Sequence, residues 1–291
     1  MTKLIRFVLN VEALCLANVV LGLIGDNIAE SRAPMLHQLA GDLAGIDVRY
    51  DLLIPSALNQ PFDAVFATAS VERDGLNITL PYKERVVAKL QINDPLVRAM
   101  GAVNTVVFGS DGAEGFNTDH SGFMAAHRSV LGDRAPGPVC LLGAGGVGKA
   151  IAFALLGLGA RDIRLVEVDR PKAMTLAAAL KAAEPSLAIT VSDNPADCVP
   201  GAEGLLNCTP LGMGGYGGTP LGPEWMETAA WAFDAVYTPR DTIFMQDAAA
   251  TALQTVSGYE LFIHQGVHAF RHFTGCDVDE SALRKALTDA E

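Results

Sequence analysis

The chain has 291 residues, of which 50% are hydrophobic and 19% are charged. This length fits two domains or one large domain, and the apolar fraction is too high for a disordered or fibrous chain. The formal net charge is −12, so the overall field repels phosphate backbones and anionic lipid surfaces. We therefore expect no nucleic-acid partner and no membrane partner.

The cysteines favour a reducing compartment. They are odd in number, scattered and without a C-x-x-C pair, at Cys15, Cys140, Cys198, Cys208 and Cys276. Such usage fits buried or free thiols better than a disulfide framework or a zinc site, and we expect a cytoplasmic protein.

Residues 1–20 are expected to form an N-terminal extension whose conformation the sequence does not specify. Two basic residues precede an apolar stretch over residues 7–24, as in a secretory signal peptide. Asn10, Glu12 and Asn18 interrupt this stretch, and no small-residue cleavage site follows it. We therefore reject the signal-peptide interpretation.

From residue 21 onward, short apolar runs alternate with segments of helical spacing. The pattern predicts strands at 21–25, 48–54, 75–80 and 102–108, and helical segments at 34–45, 57–72, 81–90 and after Asp119, with a Gly-rich turn at 109–115. Strands that alternate with helices indicate a largely parallel sheet that is covered on both faces. A Pro/Gly stretch at 132–138 predicts a boundary or hinge.

A second alternating series follows this break. It predicts strands at 139–142, 163–168, 187–191, 204–209 and 231–237, and helices from Gly146 and at 171–183, 241–252, 261–273 and 279–290. This rhythm is typical of a doubly wound nucleotide-binding fold.

A glycine fingerprint lies between the first strand and the first helix of this series. It comprises Gly143, Ala144, Gly145, Gly146, Val147 and Gly148. In the G-x-G-x-x-G pattern, the first glycine permits a tight turn, the second admits a pyrophosphate to the helix N-terminus, and the third permits close packing of helix on sheet. A Gly-rich turn without a ligand is the alternative, but acidic residues about 20 positions on favour a dinucleotide site.

Those acidic residues bear on the choice of cofactor. Glu167 and Asp169 could accept hydrogen bonds from the adenosine ribose and would repel a 2′-phosphate, which favours NAD over NADP. Arg170 and Lys172 follow directly and could clamp a phosphate, or they are ordinary solvated charges at a helix start.

Polar side chains interrupt one predicted strand of the first half. Asn77 and Thr79 share a face by the period-2 alternation of a strand, and Pro81 at a predicted helix start brings Lys83 nearby. The segments GAVNT (101–105) and GFNTD (115–119) are also polar. Taken singly, each of these motifs is equally consistent with turn or cap chemistry.

Taken together, seven motifs in order and spacing resemble the shikimate dehydrogenase family, from about residue 21 to the C-terminus. They are GLNITLPYK, GAVNT, GFNTDHSGF, the glycine fingerprint, NCTPLGM, DAVYTP and HQGVHAF. The resemblance implies an α/β protein in which a substrate domain (21–119, completed by helices in 259–291) faces a Rossmann NAD-binding domain (120–258) across a cleft. It also implies hydride transfer between nicotinamide and C3 of a small cyclohexene or cyclohexane carboxylate, as in shikimate and quinate.

The resemblance assigns roles by matching motif. Lys83 and Asp119 form the central polar pair, either with Lys83 as general acid/base and Asp119 as its orienting partner or with the two roles shared. The residues implied to contact the substrate are Ser31, Ala33, Asn77, Thr79, Asn104, Tyr237 and Gln265. Those implied to line the nicotinamide side of the cleft are Asn207, Thr209 and Met213. The assignment is chemically sensible, because ketone reduction needs a proton donor within about 3 Å of the oxygen.

One motif departs from the family pattern. The family usually binds the substrate carboxylate with two hydroxyl residues in Ser-x-Ser-Pro or Ser-x-Thr-Pro, whereas this chain has Ser31-Arg32-Ala33-Pro34. A lost hydrogen bond to a charged group costs about 1.5 to 3 kcal/mol. Either shikimate binds more weakly, Arg32 or a water substitutes, or the substrate differs, with quinate and amino-substituted relatives as candidates. The Ser-Arg-x-Pro form with an acidic second strand resembles the NAD-linked shikimate/quinate branch.

Other interpretations remain in view. A related dehydrogenase acting on a folate is disfavoured by the GFNTD and GLNITLPYK motifs, and a non-catalytic dinucleotide sensor is the alternative from another class. His264, His268 and His272 have helical spacing, but no Cys or carboxylate ligand is evident nearby, so no metal is expected. A homodimer is a candidate assembly.

Overall fold

The computed structural model describes residues 18–290. Most of the predicted extension, residues 1–17, therefore lies outside the described residues, and Asn18 begins the first strand. Among the described residues, no helix combines the length and apolar character needed to cross a bilayer.

Strands and helices alternate along the described chain. The strands are β1 (Asn18–Ile24), β2 (Asp47–Leu53), β3 (Gly75–Ile78), β4 (Thr105–Gly109), β5 (Gly112–Phe116), β6 (Val139–Leu142), β7 (Asp162–Val166), β8 (Ala188–Ser192), β9 (Gly204–Asn207), β10 (Trp231–Asp234) and β11 (Gln254–Val256). The helices are α1 (Ala33–Ala44), α2 (Phe62–Glu72), α3 (Pro95–Met100), α4 (Thr118–Leu131), α5 (Gly146–Gly157), α6 (Arg170–Ala183), α7 (Ile243–Ala250), α8 (Gly258–Thr274) and α9 (Glu280–Asp289).

The first sheet has the strand order β2-β1-β3-β4-β5. Strand β1 pairs in parallel with β2 and β3, whereas β4 is antiparallel to both β3 and β5. The prediction of a Gly-rich turn at 109–115 is therefore wrong in part: the turn is confined to the tip of a hairpin, and Gly112–Phe116 forms an edge strand. This strand was not predicted because it contains two glycines, and glycine has a low intrinsic strand propensity.

The second sheet has the order β11-β10-β9-β6-β7-β8, and every pairing in it is parallel. This is the doubly wound order, whose ligand-binding crevice lies at the carboxyl ends of β6 and β9, where the winding reverses. The predicted Rossmann rhythm is confirmed, apart from the short strand β11, which the sequence analysis did not predict.

Two predicted helices are shorter than expected. Pro61 is the N-cap of α2, so the helix begins at Phe62 and not at Ala57. The helical prediction for 81–90 is also wrong: the Leu80–Pro81 peptide is cis, and only Arg85–Lys89 is helical, as a 3-10 helix. Lys83 therefore lies in a turn, with its carbonyl accepting the N–H of Val103 at 2.9 Å.

The C-terminal helices pack against the first sheet, although α7 and β11 precede them in the second. Leu283 and Leu287 of α9 share a buried cluster with Leu21 of β1 and Leu36 of α1. The chain thus crosses from the first sheet to the second and returns, so that α4 and α8 both lie where the two halves meet.

The expectation of free thiols holds for three described cysteines. Cys140, Cys198 and Cys208 are free and buried, but Cys276 is disulfide-bonded, so the expectation is wrong at that residue. Sequence spacing and an odd count carry no information about which thiols meet in space.

His37 gives folding stability a pH dependence of definite sign. The residue is almost fully buried, and desolvation lowers its pKa from 6.5 to about 4, although a hydrogen bond with Asn77 opposes the shift. Between these two values the unfolded chain binds more protons, so stability falls as the pH falls. Between pH 7 and pH 5 this group should lower the free energy of unfolding by about 2 kcal/mol.

Urea unfolding of the wild type and His37→Gln at both pH values tests this expectation. Glutamine keeps a hydrogen-bonding group beside Asn77 but does not titrate in this range, so the variant should lose about 2 kcal/mol less between pH 7 and pH 5. An identical loss in both proteins would contradict the assignment.

Candidate active site

A buried ion pair joins two segments of the first half of the chain. Lys83 lies in the turn after β3, and Asp119 lies in the first turn of α4. The Lys83 Nζ atom is 2.6 Å from Asp119 Oδ2, and the two side chains are only 15% and 8% exposed. A charged hydrogen bond this short in a desolvated place fixes the ammonium group in one position.

A hydrogen-bond network surrounds this pair. Asn104 lies at its centre: its Oδ1 accepts the N–H of Thr118 at 2.7 Å, and its Nδ2 donates to Thr118 Oγ1 at 3.0 Å. The Thr105 hydroxyl also donates to Asn104 Oδ1 at 3.0 Å. Among the contacts of the described residues, one hydrogen of Asn104 Nδ2 remains for a ligand.

Asn77 is more fully engaged. Its Nδ2 donates to the carbonyl of Asn104 and to Thr105 Oγ1, each at 3.3 Å, so both hydrogens have partners within the protein. Its Oδ1 accepts the Tyr50 hydroxyl at 2.8 Å, and the Tyr50 ring stacks on His37 with centroids 5.0 Å apart. Because His37 also hydrogen-bonds Asn77, contacts within the protein hold this carboxamide in one orientation.

Helix α8 approaches the network closely through a glycine. A Cβ atom on Gly122 of α4 would lie 2.7 Å from the backbone nitrogen of Gln265, so only glycine fits this helix crossing without a shift. Gln265 Oε1 lies 3.5 Å from Thr118 Oγ1, and its Nε2 donates to the carbonyl of Phe262 at 3.0 Å.

The Ser31 motif lies at the start of α1. The Ser31 hydroxyl accepts the N–H of Ala33 at 3.3 Å. Burial raises the pKa of Tyr237, whereas a hydrogen bond with Ser31 and the charge of Arg32 lower it, so these three groups are neighbours. Thr79 is half-buried beyond the end of β3, and its N–H donates to the carbonyl of Ile24 at 2.9 Å.

The glycine fingerprint adopts the geometry that a dinucleotide requires. Gly143 has a φ of 95°, which disfavours every residue with a side chain. A Cβ on Gly148 would lie 2.1 Å from the Gly143 carbonyl oxygen, so α5 packs directly on the turn. Ala144 is fully buried and Val147 packs against the core. No side chain caps the N-terminus of α5. Its first backbone N–H groups can therefore donate to a pyrophosphate.

The acidic residues after β7 approach this loop. Glu167 Oε2 accepts the N–H of Ala144 at 2.8 Å, and Glu167 Oε1 accepts the N–H of Asp169 at 3.0 Å. Asp169 caps α6 through the N–H of Lys172 at 3.2 Å. Arg170 is exposed at the start of that helix.

A second polar cluster closes the crevice at the end of β9. Asn207 Nδ2 donates to Asp234 Oδ1 at 2.9 Å, and Asn207 Oδ1 accepts the Thr209 hydroxyl at 2.7 Å. Desolvation raises the pKa of Asp234 to about 6, although three hydrogen bonds oppose the shift. Met213 follows in a Gly-rich loop, whose Gly214 carbonyl accepts from Asn27 Nδ2 at 3.4 Å.

The two halves of the site meet at Lys83. A Cβ on Gly146, at the first turn of α5, would lie 2.9 Å from Lys83 Cβ and 3.1 Å from Lys83 Cδ. The lysine stem therefore rests on the glycine fingerprint while its ammonium group bonds Asp119. An acid/base group between a polar pocket and a dinucleotide loop is the arrangement of an NAD(P)-dependent oxidoreductase.

Comparison with known proteins agrees with this class. The model of the shikimate dehydrogenase substrate binding domain matches residues 23–106, and that of the shikimate 5′-dehydrogenase C-terminal domain matches residues 258–288. A shikimate dehydrogenase (NADP(+)) of Pseudarthrobacter chlorophenolicus is 38% identical, over 90% of this chain and 92% of the relative. A quinate/shikimate dehydrogenase (NAD(+)) of Corynebacterium efficiens is 36% identical, over 92% and 96%.

Solved structures lead to the same family. Quinate dehydrogenase from Corynebacterium glutamicum, in complex with NAD, has a TM-score of 0.84 and 33% identity, covering 94% of this chain and 99% of that one. Shikimate 5-dehydrogenase from Thermus thermophilus, in complex with NADP(H) and shikimate, has a TM-score of 0.80 and 31% identity, covering 94% and 100%.

The chain therefore belongs to the shikimate dehydrogenase family. This confirms the resemblance drawn from the seven motifs, the α/β fold with a Rossmann half, and the prediction of an NAD(P)-dependent enzyme with a small-molecule substrate. Its relatives include both NAD-linked and NADP-linked enzymes.

Several polar residues of the network were not predicted from the sequence. Tyr50, Thr105 and Thr118 each hydrogen-bond a predicted site residue. Thr105 and Thr118 lie within the GAVNT and GFNTD motifs and could have been found there, but Tyr50 lies in a strand without a polar motif. Its role depends on the pairing of β1 with both β2 and β3.

Thr118 should support the substrate pocket through Asn104. Thr118→Val removes the hydroxyl that accepts from Asn104 Nδ2, and an unsatisfied buried polar group costs about 1 to 3 kcal/mol. We expect a similar loss in the free energy of unfolding and a fall of about tenfold in kcat/KM for the cyclic substrate. Thr118→Ser keeps the hydroxyl and should retain both values; equal defects in the two variants would contradict this role.

Proposed function

We propose that this enzyme reversibly oxidises the C3 hydroxyl of shikimate or quinate and prefers NAD to NADP. The observation that carries the proposal is the Lys83 ammonium group, which bonds Asp119 at 2.6 Å while its stem rests on Gly146 of the dinucleotide loop. The names of the relatives support both substrates and both cofactors.

The bound nicotinamide would supply or accept the hydride at the ring carbon. Lys83 Nζ would donate a proton to the ketone oxygen during reduction and recover it during oxidation. Asp119 would hold the amine at that oxygen through their hydrogen bond. The first turn of α5 behind the lysine stem would exclude water from that side, which strengthens the electrostatic interactions inside.

Substrate hydroxyls would find both donors and acceptors in the pocket. Asn104 Nδ2 has a hydrogen to donate. Asn77 Oδ1 already accepts from Tyr50 and His37, so it would accept from a substrate hydroxyl in exchange for one of these contacts. Thr79 and Gln265 would contact the remaining ring hydroxyls. This assignment makes Asn77 chiefly an acceptor from substrate, a narrower role than its motif alone suggests.

The substrate carboxylate would lie near the start of α1. Ser31 and Tyr237 each carry a hydroxyl there, and the burial that raises the pKa of Tyr237 keeps it a neutral donor at physiological pH. Ala33 lacks a side-chain donor. The motif therefore offers the carboxylate one hydrogen bond fewer than a motif with two hydroxyl residues would. Quinate and amino-substituted relatives therefore belong in the substrate panel beside shikimate.

The cofactor preference follows from charge at the end of β7. Two carboxylates, those of Glu167 and Asp169, lie where an adenosine ribose would approach the second strand of the Rossmann half. A 2′-phosphate there would meet like charges, whereas a ribose hydroxyl would meet acceptors. Of the two cations that follow, Lys172 is directed to Glu84, with its Nζ 4.0 Å from Glu84 Oε1.

Loss of the lysine should abolish proton transfer without loss of cofactor. Lys83→Met keeps an aliphatic stem against Gly146, and we expect kcat to fall about 10²-fold or more, as for other lost acid/base groups. NADH affinity, measured by the fluorescence of the bound cofactor, should change less than threefold. Near-normal turnover would remove Lys83 from the mechanism.

The panel that tests the proposed function follows absorbance at 340 nm with shikimate, quinate and amino-substituted relatives, each with NAD and NADP. Turnover of shikimate or quinate, faster with NAD, is expected. Cofactor binding without turnover of any panel substrate would favour the dinucleotide sensor.

Asp169→Asn tests the cofactor preference. Asparagine also caps helices, so α6 should be retained, while one like charge near a 2′-phosphate is removed. We expect the ratio of kcat/KM for NADP to that for NAD to rise about tenfold. Asp279→Asn makes the same change at the N-cap of α9, where Asp279 accepts from Ala282, and should leave the ratio unchanged. An unchanged ratio in Asp169→Asn would contradict the proposed preference.

A further inference from the structure

A second ion pair crosses between the two halves of the chain beside Lys83. Glu84 is the next residue along the turn after β3, and its Oε2 accepts from Lys149 Nζ of α5 at 2.7 Å. Lys149 is 10% exposed and Glu84 is 41% exposed. Lys172, at the start of α6, also approaches Glu84, with Nζ 4.0 Å from Oε1.

The geometry relates this pair to the catalytic lysine. Gly146 and Lys149 are three residues apart in α5 and so lie on one face of the helix. Lys83 packs on Gly146, and Glu84 bonds Lys149. Lys83 and Glu84, which are adjacent in the turn, thus contact Gly146 and Lys149, which are neighbours on one face of α5.

Backbone hydrogen bonds hold the turn within the first half of the chain. The Lys83 carbonyl accepts the N–H of Val103, and the Tyr82 carbonyl accepts the N–H of Val86 at 3.0 Å. Among the described residues, the turn contacts α5 through the packing of Lys83 on Gly146 and the bond of Glu84 to Lys149. Packing on a glycine has no directional component, whereas the ion pair restricts both distance and direction.

We propose that Glu84 and Lys149 form a positioning pair, which seats Lys83 against the dinucleotide loop and so fixes its ammonium group at the reacting oxygen. Neither residue would touch the substrate or transfer a proton. This inference rests on the proposed function, because it concerns the placement of the general acid/base. Misplacement of such a group by about 1 Å can cost 10²-fold in rate.

Neutral substitutions separate positioning from stability. Glu84→Gln alone would leave a buried ammonium without its charged partner, which is destabilising, whereas Glu84→Gln with Lys149→Met removes both charges and should fold. We expect kcat to fall at least tenfold in each single variant. The double variant should fall no further than the worse single variant, because the two residues act as one unit. Its melting temperature should remain close to that of the wild type.

Charge-preserving variants give a graded readout. Lys149→Arg keeps a cation with sufficient reach and should retain kcat within threefold. Glu84→Asp keeps the charge but shortens the reach by one methylene, so kcat should fall between the wild type and Glu84→Gln. A merely structural role would instead make kcat follow the melting temperature across the series.

The neighbouring residue supplies a matched control. Arg85 bonds Asp63 of α2, so that pair lies wholly within the first half of the chain. Arg85→Gln should leave kcat within twofold of the wild type. A loss in Arg85→Gln equal to that in Glu84→Gln would overturn the proposal, because any perturbation of the turn would then suffice.

The experiment is steady-state kinetics of the full chain with the best panel substrate and cofactor, beside thermal unfolding of each variant. Wild-type kcat in Glu84→Gln with Lys149→Met would overturn the positioning role. Absence of turnover in the wild type would instead contradict the proposed function, so the two failures are distinguishable.

Discussion

The hydrogen bond between Lys83 and Asp119 depends on both halves of the fold. The lysine comes from a turn anchored to the first sheet, the aspartate from the start of α4, and the surface that closes behind the lysine from the first turn of α5. A primary amine on four flexible methylenes has no preferred position of its own. Here its freedom is removed by a charged partner at one end and a glycine surface along its stem.

The polar side chains around this pair are also held in fixed orientations. A buried amide with unsatisfied hydrogens would rotate or draw in water, but Asn77 donates both Nδ2 hydrogens internally and Asn104 is tied to Thr118. The pocket therefore presents its donors and acceptors in orientations that are set before a ligand arrives. Such preorganisation lowers the entropic cost of binding and of reaction.

Sequence alone predicted the parts of this enzyme that follow from local pattern. The glycine fingerprint and the alternation after residue 139 specified the parallel second sheet, because each depends only on neighbouring residues. The edge strand at Gly112–Phe116 and the turn around Lys83 were not predicted correctly, since glycine content and a proline at position 81 have several structural outcomes.

In the site, too, the sequence predicted residues that belong to local motifs but not contacts between distant segments. The order of the motifs predicted that Lys83 and Asp119 form a pair, and in the structure Lys83 Nζ lies 2.6 Å from Asp119 Oδ2. Contacts that depend on register between distant segments, such as Tyr50 with Asn77 and Glu84 with Lys149, left no trace in the sequence pattern.

A structure of the enzyme with NAD and shikimate or quinate bound would test the proposed chemistry. We expect Lys83 Nζ within hydrogen-bond distance, about 3 Å, of the C3 oxygen, with that carbon facing the nicotinamide. An ammonium group that points to solvent, with another side chain at the oxygen, would contradict it.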